Sequence, residues 1–549
     1  MAVAVLLAWA VVVSGIDWGL PSAARKDAVF GIHTPWTAAE LKAYERPAAE
    51  PAAADVDGTP RAVDGEGVWL TDSNESRAEI IRRYLLFSNQ PDEMITFMAL
   101  QRMRPAERDF DPRLYQYGGL WVYPVGALLR VAGAAGLVEL RSDRAFYYDR
   151  PAAFGRFYVV ARLYAAAWLG VLMAAVAMAV RRVGGSDVAA VAAAVIAALM
   201  PAAFAMAHEA KPHLPGAALM MLACLAAAGW ARHGRLRDAV LAGLLCGCAA
   251  AMVLTAAVVG IVLPVMMVVG RGPWGRRLAH GVVGVVVAAA AYGVCNPYVV
   301  LHSIKGGEAL RQNFANTGTM YRPALTGESV RSACAHAAAA LSPALMVALG
   351  VATVAWVVRP KRPSAMAALL LVPATCTAIQ FTLFATGKPG EYGRFALFPA
   401  AVAVVAVGWL LSRLREPLLV AAAGAGVAIV VAWTATAPYL RAFANDAHGN
   451  GTRETVARWL RDEAPRGVNE IEIHAEPAPY AVPPIDFFRW RLMLTRPGST
   501  PRGDLVLRAV DAPPTAPPPA GYRRVVFDGG HAPAPIAWAD KPFELLVRE

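Results

Sequence analysis

Charge is the scarce quantity in this chain. Asp, Glu, Lys and Arg make up 17% of its 549 residues, while 57% are hydrophobic. Soluble domains carry about 25% charged residues, so a soluble enzyme is excluded, and a mean hydropathy of +0.42 points to a polytopic membrane protein. Cysteine is scarce as well. Cys224, Cys246, Cys248, Cys295, Cys334 and Cys376 lie in or beside apolar runs, show no metal-ligand spacing with histidine, and outline no disulfide framework. Also missing are a phosphate-cradling glycine loop, a nucleophile elbow and a dinucleotide fingerprint. A nucleotide is therefore not the energy source, and chemistry outside a membrane requires an already activated, membrane-held donor. The net charge of +11 does not indicate nucleic acid, because the basic excess sits in short loops between apolar runs, where membrane orientation requires it.

What the sequence has in abundance is apolar runs separated by basic loops. The first, residues 2–20, lacks a basic leader and reads as a retained helix rather than a cleaved signal. Further spans are expected at 157–180, 186–207, 214–230, 278–295, 336–358, 364–386, 395–411 and 418–439, with 239–269 forming two short helices. That makes about eleven spans, the amino end cytoplasmic and the carboxyl end outside. The expected fold class is an all-α polytopic membrane bundle with a long first outer loop and a small C-terminal α/β soluble domain. Its divisions are a first helix at 1–20, a periplasmic loop at 21–156, the bundle at 157–440 and a periplasmic domain at 441–549. Within the loop, 31–78 is a Pro- and Ala-rich insertion, and Ser76 with Glu79 has capping-box spacing for a helix start. In the last domain, 452–462 reads as an amphipathic helix, 471–473, 505–507, 525–527 and 545–547 read as strands, and 513–519 is a proline-rich turn.

The residues that could carry chemistry fall into clusters expected on the outer face. Asp92 and Glu93 follow Pro91, which favours a first helical position, so both acids belong in a first helical turn. There they either offset the helix dipole or serve as a base or cation anchor. Asp109 and Asp111 read as a solvated turn. His208, Glu209, Lys211 and His213 form a polar junction between spans, where ionisable groups are costly unless used. Asn296, Pro297 and Tyr298 end a span, and Asn296 can satisfy freed backbone groups there. Lys388, Glu391, Tyr392 and Arg394 surround a Gly387/Gly390 turn, and an arginine fork matches phosphate oxygens.

These segments resemble the GT-C superfamily of polytopic glycosyltransferases, which includes the dolichyl-phosphate-mannose protein mannosyltransferases. Pro91-Asp92-Glu93, then Asp111-Pro112 and the aromatic run 117–124, resemble that family's first outer loop. Gly19-Leu20-Pro21 resembles its opening, and Arg162 fits an arginine common in its second span. Lys211-Pro212-His213-Leu214-Pro215 resembles a K-x-D-x-P segment, Asn296-Pro297-Tyr298 its NPY, and 391–399 an R-Y-x-x-P-x-x-P stretch. The resemblance covers about 20–440. It implies an inner-membrane glycosyltransferase taking a polyprenyl-phosphate sugar as donor and a lipid, glycan or protein hydroxyl as acceptor, with inversion. Asp92 is then the base and Glu93 its orienting neighbour. Lys211, Lys388 and Arg394 face the lipid phosphate, with His208 and Glu209 in the pocket. The resemblance allows a divalent cation, Mg or Mn, and requires none. It departs from the family pattern at His213, where an Asp is usual, at 250–255, which lack a charged residue, and at the insertion 31–78, which makes Asp27 a rival for the base.

Two other classes compete. A transporter or flippase predicts ionisable residues at mid-span and internal repeats, and no repeat is visible. A non-catalytic membrane scaffold predicts that the polar clusters are dispensable.

Overall fold

A computed structural model describes residues 2–44, 67–318, 323–358, 364–385, 392–474, 482–495, 498–510, 514–529 and 538–549. The chain divides into two compact units. One comprises Met1–Val13, Ile95–Ala127 and Ala161–Ala437, and the other Ser14–Met94, Leu128–Val160 and Pro438–Glu549.

The first unit is helical. Across the chain, six helices among the described residues are long and apolar enough to cross a membrane, or up to eight if two sharply bent pairs count as one span each. Both bent pairs replace spans expected to be single. Asp187–Leu199 and Pro201–Ala207 meet at 60°, and Gly327–Leu341 and Pro343–Val358 at 102°. Proline explains both breaks: it has no N–H to continue the ladder, and it disfavours helical geometry in the residue before it. At the second break Ser342 takes φ 84°, a conformation costly for a residue with a Cβ.

The run 239–269 divides as its length suggested. A helix, Leu236–Met252, stops at the extended Val253, and a tighter helical stretch resumes over Leu254–Ile261 and Val262–Val269. Leu236–Met252 lies against Trp274–Cys295 in near backbone contact. A Cβ on Gly243 would sit 2.2 Å from the Gly284 carbonyl oxygen, and one on Gly247 2.3 Å from that of Ala288. Small residues thus let two apolar helices associate through close packing, which lipid alone does not drive.

The second unit contains a six-stranded sheet: β1 (Val68–Trp69), β2 (Glu470–His474), β3 (Arg491–Thr495), β4 (Leu505–Ala509), β5 (Tyr522–Phe527) and β6 (Phe543–Arg548), in the order β1-β3-β2-β4-β6-β5. β2 runs parallel to β3 and β4, and the other pairings are antiparallel. The four expected strands are present. β1 and β3 were not foreseen, and β1 comes from the 31–78 insertion, whose remainder at 45–66 lies outside the described residues. The helix Thr452–Asp462 forms as expected. Its apolar face, Val456, Trp459 and Leu460, is buried beside β5 and β6, and each such side chain contributes about 1.5–3 kcal/mol when fully buried.

Two local readings need correction. The helix expected to start at Ser76 is Asn74–Leu86, capped by Ser73, whose hydroxyl accepts the Ser76 N–H at 3.2 Å. Glu79 pairs forward with Arg83 instead of closing a capping box. The helix beyond the acid pair is Met94–Arg102, so Asp92 and Glu93 lie in the turn before it rather than in its first turn.

Candidate active site

In the first unit, the segment after Leu114 threads between two helix ends and depends on its glycines. Tyr117 pairs with Val253 as an isolated bridge, and the Gly118 N–H donates to the Met252 carbonyl at 3.0 Å. The Gly119 N–H donates to Asn296 Oδ1 at 2.8 Å, while Asn296 Nδ2 donates to the Tyr292 carbonyl at 3.0 Å. The Asn296 amide is thus committed to a structural role. Tyr298 is committed in part, its hydroxyl accepting the Phe110 N–H at 2.9 Å.

Beside this segment, Asp111 gathers partners from far along the chain. The Tyr115 hydroxyl and the Arg113 N–H donate to its Oδ1 at 2.7 and 3.0 Å, and His302 Nε2 lies 2.7 Å from its Oδ2. Burial, then the Asp111 carboxylate, pushes the Tyr115 hydroxyl well above the usual phenol range. Asp109, which accepts the Asp111 N–H at 3.0 Å, is held below the usual carboxylate range by that bond first and by Arg113 and Arg104. The expected solvated turn is a bonded one. His302 carried no sequence signal, because 191 residues separate it from Asp111.

Two expected clusters meet around His213. Its ring lies edge-on to Tyr117 (centroids 6.2 Å apart) and to Phe395 (5.7 Å), and the Arg394 guanidinium lies over the Phe395 ring at 5.1 Å. His213, Arg394 and Phe395 line a cavity of about 40 Å³ with Thr255, Thr377 and Gln380. His208, Glu209 and Lys211 are fully buried, with Lys211 Nζ 3.4 Å from Glu209 Oε2 and His208 Nδ1 2.9 Å from the Phe204 carbonyl. Tyr392 opens the short helix Tyr392–Ala396. Lys388 and Glu391 lie outside the described residues.

The acid pair belongs to the second unit. Glu93 is fully buried and accepts the Ser88 hydroxyl at 2.5 Å, and the Asp92 N–H donates to Gln90 Oε1 at 2.7 Å. Neither acid borders the large cavity of that unit. This space, about 1200 Å³, is lined by Asp17, Asp27, Asp446 and Glu454 among its acids and by Arg458, Arg461 and Arg489 among its bases. Asp27 stands on the helix Ala23–Phe30, which Ser22 caps by accepting the Arg25 N–H at 3.1 Å. Its carboxylate is exposed and makes no hydrogen bond or ion pair among the described residues.

Arg25 locks this wall in place, donating to the carbonyls of Phe87 and Gly19 at 3.0 Å each and to Asn89 Oδ1 at 2.9 Å. Asn89 Nδ2 in turn donates to Asp446 Oδ2 at 3.4 Å. Burial, then the nearby Asp446 carboxylate, pushes Glu454 up to about 7. Apart from Asp27, sequence reasoning singled out none of these cavity residues. The helical spacing of Glu454, Ala457, Arg458 and Arg461 was the available signal. No three His, Cys, Asp or Glu side chains among the described residues converge as metal ligands.

The family model for dolichyl-phosphate-mannose-protein mannosyltransferase matches residues 152–295, roughly a quarter of the chain. Among solved structures, ArnT from Cupriavidus metallidurans bound to undecaprenyl phosphate is 14% identical, with 83% of this chain and 93% of that one covered and a TM-score of 0.43. AglB from Archaeoglobus fulgidus, in complex with an inhibitory peptide and a dolichol-phosphate, is 15% identical, with 74% and 63% covered and a TM-score of 0.38. The Archaeoglobus fulgidus oligosaccharyltransferase in complex with Zn and sulfate is 15% identical, with 72% and 59% covered and a TM-score of 0.36. No curated protein matches the sequence.

Proposed function

We propose that this GT-C-type membrane protein moves a sugar from a polyprenyl-phosphate carrier to a hydroxyl acceptor at the outer face of a bacterial inner membrane. The observation that carries the reading is Asp27, an uncommitted carboxylate on the wall of a cavity of about 1200 Å³. A general base must be within reach of the hydroxyl it deprotonates. Asp27 meets that demand better than Asp92, which borders no part of this space, or Glu93, which is buried against Ser88. Asp92 is the second choice.

In the proposed step, Asp27 takes the acceptor proton and the acceptor oxygen bonds to the anomeric carbon. The bond from that carbon to the phosphate oxygen breaks, and the polyprenyl phosphate leaves with the electron pair. Attack opposite the leaving group inverts the centre.

The test is purified protein in lipid, given a panel of polyprenyl-phosphate sugars. Wild type releases polyprenyl phosphate, and Asp27→Asn lowers the turnover rate; unchanged release in the variant rejects the assignment. A transporter is the second reading, favoured by the wholly buried Glu209, Lys211 and Arg162. Solute flux in sealed vesicles without bond cleavage would establish it instead.

A further inference from the structure

The helix Thr452–Asp462 has two working faces. Val456, Trp459 and Leu460 are buried beside the sheet, with the Trp459 ring 6.2 Å from that of Phe527. The opposite stripe, Glu454, Ala457, Arg458 and Arg461, follows the i, i+3, i+4, i+7 pattern of one helical face. All four residues line the 1200 Å³ cavity. The charged stripe of this amphipathic helix therefore borders the cavity, with Arg458 and Arg461 exposed on its solvent-open side.

We propose that Arg458 and Arg461 of this stripe, together with Arg489, recognise an anionic group on the acceptor. The proposal rests on the transferase reading and names the acceptor class for it. Three observations support it. The guanidinium groups come from two separate segments, and Arg489 Nη1 donates to the Arg461 carbonyl at 3.1 Å, which ties the segments together. Of the three, Arg461 alone is paired with a carboxylate in the described structure, that of its neighbour Asp462. Arg458 reaches only the Thr455 hydroxyl, at 3.2 Å, and Arg489 lies over the Trp490 ring at 4.8 Å. These forks retain donors for a phosphate or carboxylate.

Five acids also line the cavity, Asp17, Asp27, Asp446, Glu454 and Asp486, and burial favours the neutral form of Glu454. Asp486 accepts the N–H groups of Phe488 and Arg489, and Asp446 holds Asn89. Asp27 stays free for the acceptor hydroxyl. The volume, above the roughly 300–1,000 Å³ of drug-sized ligand sites, suits a ligand larger than one sugar ring. The anion has two sources, a phosphorylated glycan or an acidic one.

The experiment is calorimetric binding of glucose 6-phosphate, galacturonate and glucose to the full-length protein in lipid nanodiscs. We expect at least one of the two anionic sugars to bind about tenfold tighter than glucose, the effect of a charge-assisted hydrogen bond. Preference for glucose 6-phosphate assigns a phosphorylated acceptor, and preference for galacturonate an acidic glycan. Arg458→Gln with Arg461→Gln should abolish the preference at an unchanged melting temperature, while Arg466→Gln, away from the cavity, should keep it. Equal affinity for the three sugars, no binding, or a preference that survives the double substitution overturns the proposal. Asp27→Asn should keep the preference. Binding retained in a protein that cleaves no donor would sink the transferase reading and leave an anion-binding site without an acceptor role.

Discussion

Lys211 Nζ lies 3.4 Å from Glu209 Oε2, and the two side chains are 1% and 0% exposed. A charge pair sealed in this way does little for net stability, yet it is costly to break from one side. Glu209→Gln leaves the lysine charge without its carboxylate and should lower stability by about 3–5 kcal/mol. Glu209→Gln combined with Lys211→Met should recover most of that loss. Thermal unfolding in detergent, followed by tryptophan fluorescence, distinguishes the two. Equal melting temperatures for the single and double variants would mean that the pair is not energetically linked.

The Gly118 position has no room for a side chain. A Cβ there would sit 1.8 Å from the Ala251 carbonyl oxygen, which is backbone and cannot swing aside. Gly118→Ala should therefore displace the Tyr117–Val253 bridge and cost about 1–3 kcal/mol or more, the usual penalty of overpacking. Gly136→Ala is a control for backbone strain: its φ is +71° but nothing lies within 4 Å. Its penalty should be the smaller one in the same melting assay.

Asp27 and Asp92 make opposite predictions for turnover. Asp27→Asn removes the proposed base and should lower kcat by about 10²–10⁴-fold, the usual contribution of general acid–base catalysis. Asp92→Asn, on a residue that does not border the cavity, should stay within about threefold of wild type on the same scale. Single-turnover release of polyprenyl phosphate measures both, and a larger loss at Asp92 would reverse the assignment.

Glu454 should make stability depend on pH. Its folded-state pKa is raised from 4.5 to about 7 by burial and by Asp446, against opposing pulls from Arg453, Arg25 and its own backbone N–H. Because the folded value is the higher one, its contribution is fully present below the unfolded pKa. It is lost as pH rises through the folded value, at up to about 1.4 kcal/mol per pH unit. Melting temperature should fall between pH 4.5 and 7 in wild type, and Glu454→Gln should flatten that slope. Parallel slopes in the two proteins would remove Glu454 as the cause.

Much of the architecture was legible in the chain itself. Hydropathy located the apolar helices because a bilayer selects runs of apolar residues, whatever surrounds them. Short runs rich in Ile, Leu, Val and Phe marked β2, β4, β5 and β6, and a period of 3.6 marked Thr452–Asp462. The spacing of Asp92 and Glu93 after Pro91 gave the wrong local setting, since propensity at a helix start is weaker than the turn that Ser88 and Gln90 hold in place.

Which polar residues meet was decided only in three dimensions. Asp111 finds His302 across 191 residues, and Asn89 finds Asp446 across 357. Neither pairing leaves a periodic trace, because a side-chain contact between distant segments depends on how helices and sheet pack rather than on any local pattern. The same holds for Asp27. By sequence it is one acid beside a lysine, and its claim to chemistry comes from the cavity that folding places in front of it.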